Sequence, residues 1–493
     1  MWTKESLKKA IEEQLGEYLL IVASNREPYI HMHKKAKIIF QRSAGGVVTA
    51  LDPVMKACSG LWIAHGSGDA DKKTVDKNDR LQVPPDDPKY TLHRIWLTKE
   101  EEDGYYYGFA NEALWPLSHI SYTRPHFEET DWKMYEKVNR KFADAILKEV
   151  GDKKAFVWIQ DYHMALLPKF LKEAGGNNII TAHFWHIPWP NPEVFRICPK
   201  KKEILEGLLA NDLLGFHLRY HCENFIATVE KEIEARVDRE RLSIIKSGHE
   251  TMIRAFPIGV DYEYVERLSE SKEIKEDMQS LKEEFLINHD FVMLGLDRID
   301  YTKGIPERLR AIDRFLEKYP EYKGKFVFIQ MGRLSRMHIP AYKNLNDEIN
   351  ALVEEINWKH SQEGWQPILF VRRHLSYPEV IAFYKLANIC IVNPLHDGMN
   401  LVAKEYVATR TDNTGVLVLS QFTGSARELQ NEAIMINPYD TEDCADKIKE
   451  AISMDKAEVE HRMQKMREQV SRNNIYRWAG KILAELLRFE FKE

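Results

Sequence analysis

Short, continuous apolar runs recur along the chain, and longer amphipathic stretches separate them. Apolar runs of about four to eight residues are typical of strands buried on both faces, and helical segments between them favour parallel sheets. The strand candidates are LLIVAS at 19–24, FVWI at 156–159, IITAHF at 179–184, DLLGF at 212–216, FVMLGL at 291–296, FVFIQM at 326–331, ILFV at 368–371, NICIV at 388–392, VLVLS at 416–420 and AIMIN at 433–437. The pattern predicts an α/β fold built from doubly wound, Rossmann-like sheets.

The segment before the first of these strands predicts an amphipathic helix. Thr3 can cap its start, apolar residues recur on one face from Leu7 to Leu15, and Gly16 can end it.

A chain of 493 residues is too long for one ordinary hydrophobic core, so its length predicts two or three domains. AFPIGVD at 255–261 is followed by a charged helical stretch at 263–285 before the strands resume. We therefore predict one Rossmann-like domain at 1–260 and a second at 261–472. Doubly wound sheets bind ligands beyond the carboxyl ends of their strands, so the cleft between two facing sheets is the expected site.

Composition and charge narrow the class of protein. The net charge of −6 gives no global reason to expect a nucleic acid or membrane partner. The five cysteines are scattered, which argues against a disulfide framework and fits a reducing compartment. Without a signal-peptide pattern or an apolar run of about 20 residues, we expect a cytoplasmic protein.

The stretch HDGMNLVAKEY at 396–406 follows a predicted strand and leads into a predicted helix. Its turn presents the N–H groups of a helix start, which suit an anion such as phosphate. Asp397 in the turn can accept hydrogen bonds from sugar hydroxyls, whereas Glu405 lies too far along to bind the same hydroxyl. One extended ligand with a sugar at each end, as in a nucleotide sugar, would use both carboxylates. The alternative is an N-capping Asp397 and a solvent-facing Glu405.

DRIDYTKGIPERL at 297–309 directly follows another predicted strand. Arg298 and Lys303 are two cations at a strand end, which suits a diphosphate whose charge grows as it departs. The alternative is a surface ion pair with Asp297, Asp300 or Glu307.

Polar residues also follow strands in the first half of the chain. Arg26 in SNREPY can bind a phosphate, and the glycine pair in SAGG allows close approach of the backbone to a ligand. Asp161 in QDYH and His186 in HFWHIPWP are expected to meet at the site. Histidine pairs at 183 and 186 and at 217 and 221 raise zinc as an alternative, but no third ligand has a suitable spacing, so we predict no metal.

Taken together, these stretches resemble the trehalose-6-phosphate synthases, which are retaining glucosyltransferases of the two-domain GT-B fold. The similarity rests on SNR, SAGG, YYYGFANEALWP, WIQDYH, HIPWPNPE, DLLGF, RIDYTKGIPER, SRMHIPAY, DGMNLVAKEY and GVLVLSQFTGSA. These motifs occur in the same order as in the family and span nearly the whole chain. Only the N-terminal helix is additional to the family pattern.

The resemblance implies a role for each matching position and no cofactor. It makes the N-terminal domain the acceptor domain, to which a C-terminal helix within 473–493 returns, and the C-terminal domain the donor domain. The implied catalytic residues are Arg298, Lys303 and His186. The implied donor-binding residues are Gly45, Gly46, Asp397, Gly398, Met399, Asn400, Leu401, Val402 and Glu405. The implied acceptor-binding residues are Arg26, Tyr106, Trp115, Asp161 and Arg336.

The sequence departs from the family pattern at two positions. His65 stands where the family often has an aromatic residue near the acceptor, and His396 stands where it usually has arginine. REPY at 26–29 also resembles the related glucosylglycerol-phosphate synthases.

The expected reaction is transfer of glucose from UDP-glucose to glucose 6-phosphate. The alternatives are a polyol-phosphate acceptor, glycerol 3-phosphate, and a non-catalytic regulatory homologue. The nucleotide preference and any homo-oligomer stay open.

Overall fold

A computed structural model describes residues 2–15, 18–35, 37–43, 46–175, 178–362, 364–373 and 375–491. These residues form two compact units. The first contains the chain up to Ile258 together with the segment from Ile475 onward, and the second is Gly259–Asn474.

The strands of the first unit are β1 (Leu19–Arg26), β2 (Tyr29–Lys34), β3 (Lys37–Arg42), β4 (Leu61–His65), β5 (Arg80–Val83), β6 (Tyr90–Ile95), β7 (Ala155–Gln160), β8 (Ile179–Phe184), β9 (Leu213–Phe216), β10 (Arg236–Asp238), β11 (Ser243–Lys246) and β12 (His249–Ala255). Its helices are α1 (Lys4–Leu15), α2 (Gly46–Cys58), α3 (Lys99–Glu102), a π-helical segment (Asp103–Leu114), α4 (Trp115–His119), α5 (Glu129–Val150), α6 (Leu167–Glu173), α7 (Pro192–Phe195), α8 (Lys201–Leu208) and α9 (Arg219–Glu232).

The helices of the second unit are α10 (Tyr262–Ser269), α11 (Lys272–Glu284), α12 (Ile305–Lys318), α13 (Pro340–His360), α14 (Tyr377–Leu386), α15 (Leu401–Thr409), α16 (Ala426–Leu429), α17 (Thr441–Ser453) and α18 (Lys456–Arg472). Its strands are β13 (Phe291–Arg298), β14 (Phe326–Arg333), β15 (Ile368–Val371), β16 (Ile389–Val392), β17 (Val416–Ser420) and β18 (Ile434–Ile436). The last helix of the chain, α19 (Ile475–Leu486), belongs to the first unit.

The first unit is built on a sheet with the order β10-β11-β12-β9-β8-β7-β1-β4-β6-β5, in which β12 through β6 pair in parallel. Strands β7 and β8 are buried along their whole length, as their continuous apolar runs predicted. The antiparallel pair β2–β3 forms a separate hairpin. Helix α1 begins as predicted, with the N–H of Ser6 donating to Thr3 Oγ1 at 3.2 Å, and its Leu7 and Ile11 are buried.

The second unit is a parallel sheet with the order β15-β14-β13-β16-β17-β18. Apolar clusters on both of its faces bury the strands between helices. The predicted α/β fold class is confirmed, because both sheets are doubly wound. Among the residues that the structure describes, no helix is both long and apolar enough to cross a membrane.

Candidate active site

The DGMN turn of the second unit leads from β16 into α15. The residue that precedes the helix is Asn400, with a φ of 67°, so the N-capping alternative for Asp397 is wrong. The turn is fastened to the segment after β17: Thr423 Oγ1 donates to the carbonyl of Met399 at 2.6 Å, and the N–H of Asp397 donates to Phe422 O at 3.1 Å. Helix α15 therefore begins at a braced turn, where its first N–H groups suit an anion.

Lys303 and Asp397 form a short ion pair at this turn. Lys303 Nζ lies 2.5 Å from Asp397 Oδ2, and both side chains are almost buried, at 12% and 14% exposed. Asn400 Nδ2 also donates to Asp397 Oδ2, at 3.2 Å. The lysine after β13 thus meets the turn after β16, because neighbouring parallel strands end at the same edge of a sheet.

Arg298 ends β13 and lies near a buried carboxylate. Its Nη2 is 3.8 Å from Asp300 Oδ2, while Arg336 Nη1 is 3.7 Å from the same oxygen. Burial would raise the pKa of Asp300, but Arg298, Arg336 and Lys303 outweigh it and lower that pKa. Arg298 is therefore paired with Asp300, as the ion-pair alternative proposed, but Asp300 lies in the interior and not on the surface.

Glu405 lies on α15 and is half-buried, so the solvent-facing alternative for it is wrong. The hydroxyls of Tyr377 and Tyr384 donate to its two oxygens at 3.3 and 3.2 Å. Burial raises the pKa of Glu405 to about 7, although both tyrosine hydrogen bonds oppose that rise.

The sequence did not single out Arg308, which braces the same edge from α12. It is buried and donates to Asn393 at 2.5 Å, to Gln330 at 3.0 Å and to Asp297 at 2.7 Å. The sequence feature that could have identified Arg308 is its place on the apolar face of an amphipathic helix, because a charge buried there needs polar partners.

In the first unit, the predicted meeting of Asp161 and His186 occurs through the backbone. Asp161 Oδ1 accepts from the N–H of His186 at 3.1 Å, and the φ of Asp161 is 72°. His186 Nε2 lies 2.8 Å from Gln160 Oε1. Burial, together with His183 and His163, lowers the pKa of His186 to about 3, so the ring is neutral at physiological pH.

Arg26 and a group of aromatic rings follow the strand ends of the same unit. Arg26 Nη2 donates to the hydroxyl of Tyr106 at 3.0 Å, and the ring of Tyr106 stacks on His163 with centroids 5.6 Å apart. Trp115 is buried and lies near Tyr162, with centroids 5.8 Å apart. Gly46 begins α2, whereas Gly45 lies outside the described residues.

His183 belongs to one of the histidine pairs that raised zinc as an alternative. His183 Nε2 faces the carbonyl of Asp161 at 2.9 Å. Across the described ranges, no group of three His, Cys, Asp or Glu residues could hold a metal ion.

Two doubly wound α/β units, the second carrying cations and an open helix start at its strand ends, place the chain in the class of two-domain α/β proteins that bind phosphorylated ligands at strand ends. A sequence profile of glycosyltransferase family 20 matches residues 18–488, and the chain belongs to this family. The predicted resemblance is confirmed.

Relatives of established name match over nearly the whole chain. A trehalose-6-phosphate synthase of Mycolicibacterium smegmatis is 36% identical over 94% of this chain and 92% of its own length. An α,α-trehalose-phosphate synthase (UDP-forming) of Candida albicans is 34% identical over 95% and 97% of the two chains.

Solved structures agree with this assignment. A structure from E. coli, bound with UDP-2-fluoro glucose, is 30% identical, has a TM-score of 0.85 and covers 96% of this chain and 100% of its own. A Burkholderia xenovorans α,α-trehalose-phosphate synthase (UDP-forming) in complex with glucose-6-phosphate is 29% identical, with a TM-score of 0.84, and covers 95% and 99%. The GT-B fold predicted from the resemblance is confirmed by these structures.

Proposed function

We propose that the protein transfers glucose from UDP-glucose to glucose 6-phosphate, forming α,α-trehalose 6-phosphate and UDP with retention of anomeric configuration. The carrying observation is the Lys303–Asp397 pair at the open start of α15, in a chain that matches sugar-nucleotide-bound and glucose-6-phosphate-bound relatives along its length. The pair joins a cation for a diphosphate to a carboxylate for a sugar hydroxyl.

The donor-binding residues are mainly those at the strand ends of the second unit. Asp397 accepts hydrogen bonds from the hexose, the N–H groups of the turn and of α15 bind phosphate, and Glu405 accepts from the ribose hydroxyls. The turn and helix start comprise Gly398, Met399, Asn400, Leu401 and Val402. Gly45 and Gly46 complete the donor-binding set.

Catalysis then depends on stabilising the departing diphosphate. The bond from the glucose anomeric carbon to UDP breaks while an acceptor hydroxyl forms a new bond on the same face, and the hydroxyl proton passes to a departing phosphate oxygen. Arg298 and Lys303 stabilise the negative charge that grows on that diphosphate. Neutral His186, with Nε2 directed to Gln160, is suited to hydrogen-bond and position the donor sugar rather than to transfer a proton.

The acceptor is recognised by charge and by aromatic rings. Arg26 and Arg336 supply cations for its phosphate, Tyr106 and Trp115 offer ring surfaces to a hexose, and Asp161 accepts from a sugar hydroxyl. The lowered pKa of His65, about 4 because of burial, leaves a neutral imidazole that can pack against or hydrogen-bond an acceptor.

Glycerol 3-phosphate is the second candidate acceptor. It is favoured by Glu27, Pro28 and Tyr29 directly after Arg26, as in the glucosylglycerol-phosphate synthases, and by His65 in place of a larger aromatic residue. A phosphate-binding arginine serves either acceptor, so the rest of the site must discriminate between them.

The test is a matrix of UDP-, ADP- and GDP-glucose against both acceptors, with kcat/KM measured and products identified by mass and NMR. We expect the highest kcat/KM for UDP-glucose with glucose 6-phosphate. A higher value for glycerol 3-phosphate would overturn the trehalose assignment but leave the glycosyltransferase standing. No acceptor-dependent release of nucleotide would favour the non-catalytic homologue.

A further inference from the structure

The ends of β1 and β4 place two side chains opposite each other. The parallel pair runs in register from Ile21 and Leu61 to Ser24 and Ala64, and a register shift then sets Arg26 opposite His65. In the proposed function Arg26 binds the acceptor phosphate, and His65 occupies the position of an acceptor-side aromatic residue. A contact just beyond this pair that links the ends of β1 and β4 would therefore constrain the separation of Arg26 and His65.

Glu27 links the end of β1 to the loop that follows β4. Its side chain is buried, and its Oε1 accepts from the N–H of Ser67 at 2.8 Å and from the Ser67 hydroxyl at 3.2 Å. The residue that follows Arg26 is thereby bonded to the loop that follows His65.

The loop itself has little freedom to adjust. A Cβ added to Gly68 would lie 2.2 Å from the carbonyl oxygen of His31, and one added to Gly66 would lie 2.5 Å from the ring of Trp96. Both glycines are therefore packed closely against neighbouring residues, and the strand end at Glu27 is bonded to a loop that is itself closely packed.

A buried arginine balances the charge of this connection. Arg94 Nε donates to Glu27 Oε2 at 2.7 Å, and Arg94 Nη2 lies 2.8 Å from Asp71 Oδ1. Burial and the neighbouring Asp71 carboxyl raise the pKa of Glu27 to about 8, so near neutral pH the two acids hold about one negative charge against one guanidinium. Arg94 also bonds the carbonyl of Tyr29 at 2.9 Å, so changing Arg94 would disturb the hairpin as well.

We propose that Glu27 is a positioning residue for the acceptor. By bonding Ser67 just beyond the Arg26–His65 pair, it sets the separation of these two side chains and hence which phosphorylated acceptor fits between them. The proposal rests on the proposed function, in which Arg26 contacts the acceptor phosphate, and assigns Glu27 no contact with substrate.

Three variants of Glu27 separate reach, charge and hydrogen bonding. Glu27→Ala removes both carboxylate oxygens, and with them the hydrogen bonds from Ser67 and Arg94. Glu27→Asp keeps the carboxylate but shortens the side chain by one bond, about 1.5 Å. Glu27→Gln removes the charge and keeps the oxygen that Ser67 requires, but its NH2 group cannot accept from Arg94 Nε.

Glu149, near the end of α5, provides a control acid that binds two strands of the same sheet. Its side chain is 8% exposed, its two oxygens accept from Arg80 at 2.8 and 2.6 Å, and its Oε1 lies 2.6 Å from Nδ1 of His93, the neighbour of Arg94 on β6. Glu149→Ala therefore breaks a carboxylate–arginine ion pair of the same kind, less buried on its arginine side, without touching the β1 and β4 ends.

The readouts are kcat, and KM for UDP-glucose, glucose 6-phosphate and glycerol 3-phosphate, together with the midpoint of thermal unfolding. We expect Glu27→Ala and Glu27→Asp to raise KM for glucose 6-phosphate at least about tenfold, the effect of losing one well-formed hydrogen bond. KM for UDP-glucose should change less than about twofold in every variant. For Glu27→Gln, KM for glucose 6-phosphate should stay within about threefold of the parent value.

The outcomes distinguish this proposal from the function on which it rests. If the parent enzyme shows no glucose-6-phosphate-dependent release of UDP, the proposed function fails. If the parent is active but Glu27→Asp leaves the acceptor KM unchanged, or Glu149→Ala reproduces the acceptor defect, the positioning role is overturned. Should Glu27→Ala fail to fold, the Asp and Gln variants decide the question.

Discussion

At the scale of single residues, the ion pair of Lys303 with Asp397 and the position of Arg298 lead to a kinetic prediction. If both cations stabilise the leaving diphosphate, Lys303→Ala and Arg298→Ala should each lower kcat by about 10²-fold or more, because the stabilised charge is largest in the transition state. Steady-state kinetics with saturating UDP-glucose measures the effect.

Arg310 is the matched control for these two cations. It lies on α12 and forms an exposed ion pair with Glu348 at 2.6 Å. Arg310→Ala should retain kcat within about twofold. Near-normal turnover of both Lys303→Ala and Arg298→Ala would contradict their assigned role.

Glu405 should make UDP binding depend on pH. Burial raises the pKa of its carboxyl to about 7, and in the proposed site the ribose hydroxyls would donate to the ionised form. UDP affinity should therefore rise as the pH increases from about 6 to 8. Below the pKa it should fall by up to about tenfold per pH unit, because binding must first release a proton.

Calorimetry in two buffers of different ionisation enthalpy would detect that proton release. Glu405→Gln should bind UDP more weakly and lose the pH dependence in this window, while acceptor KM changes little. A parent enzyme whose UDP affinity is flat across the same range would count against the ribose contact.

Several individual positions could be predicted, whereas their partners could not. The strand-end locations of Arg298, Lys303 and Asp397 follow from local apolar runs and turns. The pairing of Lys303 with Asp397 joins residues 94 positions apart, and that of Arg94 with Glu27 joins residues 67 apart. Such contacts depend on sheet order and register, which the local pattern does not encode.

At the scale of elements, the predicted strands share a continuous apolar character that most of the missed ones lack; β4, with the buried run LWIA, is an exception that the pattern could have predicted. Strand β6 alternates in polarity and contains His93 and Arg94, and the β2–β3 hairpin is rich in lysine and histidine. Their polar side chains have specific partners, as Arg94 shows, so tertiary contacts override the local pattern. The π-helical turn of Asp103–Leu114 has no sequence signature that would distinguish it from an α-helix.

The start of α15 provides the prediction for an element. A Cβ added to Gly424 would lie 2.0 Å from the carbonyl oxygen of Gly398, so Gly424→Ala must displace the DGMN turn. We expect it to weaken UDP binding by at least about tenfold, because the N–H groups at the helix start would shift. Calorimetric titration with UDP measures this loss.

Gly324→Ala is the control for that substitution. Gly324 has a φ of +80° with open space around its Cα, so alanine should lower the free energy of unfolding by about 1 kcal/mol through backbone strain. Its UDP affinity should equal that of the parent. Unchanged UDP binding by Gly424→Ala would show that the turn tolerates the displacement.

At the scale of the whole molecule, the first unit is discontinuous in sequence, because α19 completes a unit whose other elements precede Gly259. Apolar periodicity could predict helix α19, but not that the helix packs in the first unit rather than in the second. Trp478 of α19 is buried, and its ring centroid lies 4.9 Å from that of Trp158 on β7 and 5.1 Å from that of Phe184 on β8.

Trp478 should therefore contribute to the stability of strands β7 and β8, which are encoded more than 290 residues earlier in the chain. Trp478→Ala should lower the free energy of unfolding by about 3–5 kcal/mol, the usual cost of truncating a buried tryptophan. Trp358→Ala, at a side chain that is 89% exposed, should change it by less than about 0.5 kcal/mol. Hydrogen exchange localises the effect: peptides from β7 and β8 should lose protection in Trp478→Ala, while peptides from β13 and β14 keep theirs. Equal protection of all four strands in the variant and the parent would mean that α19 does not support this sheet.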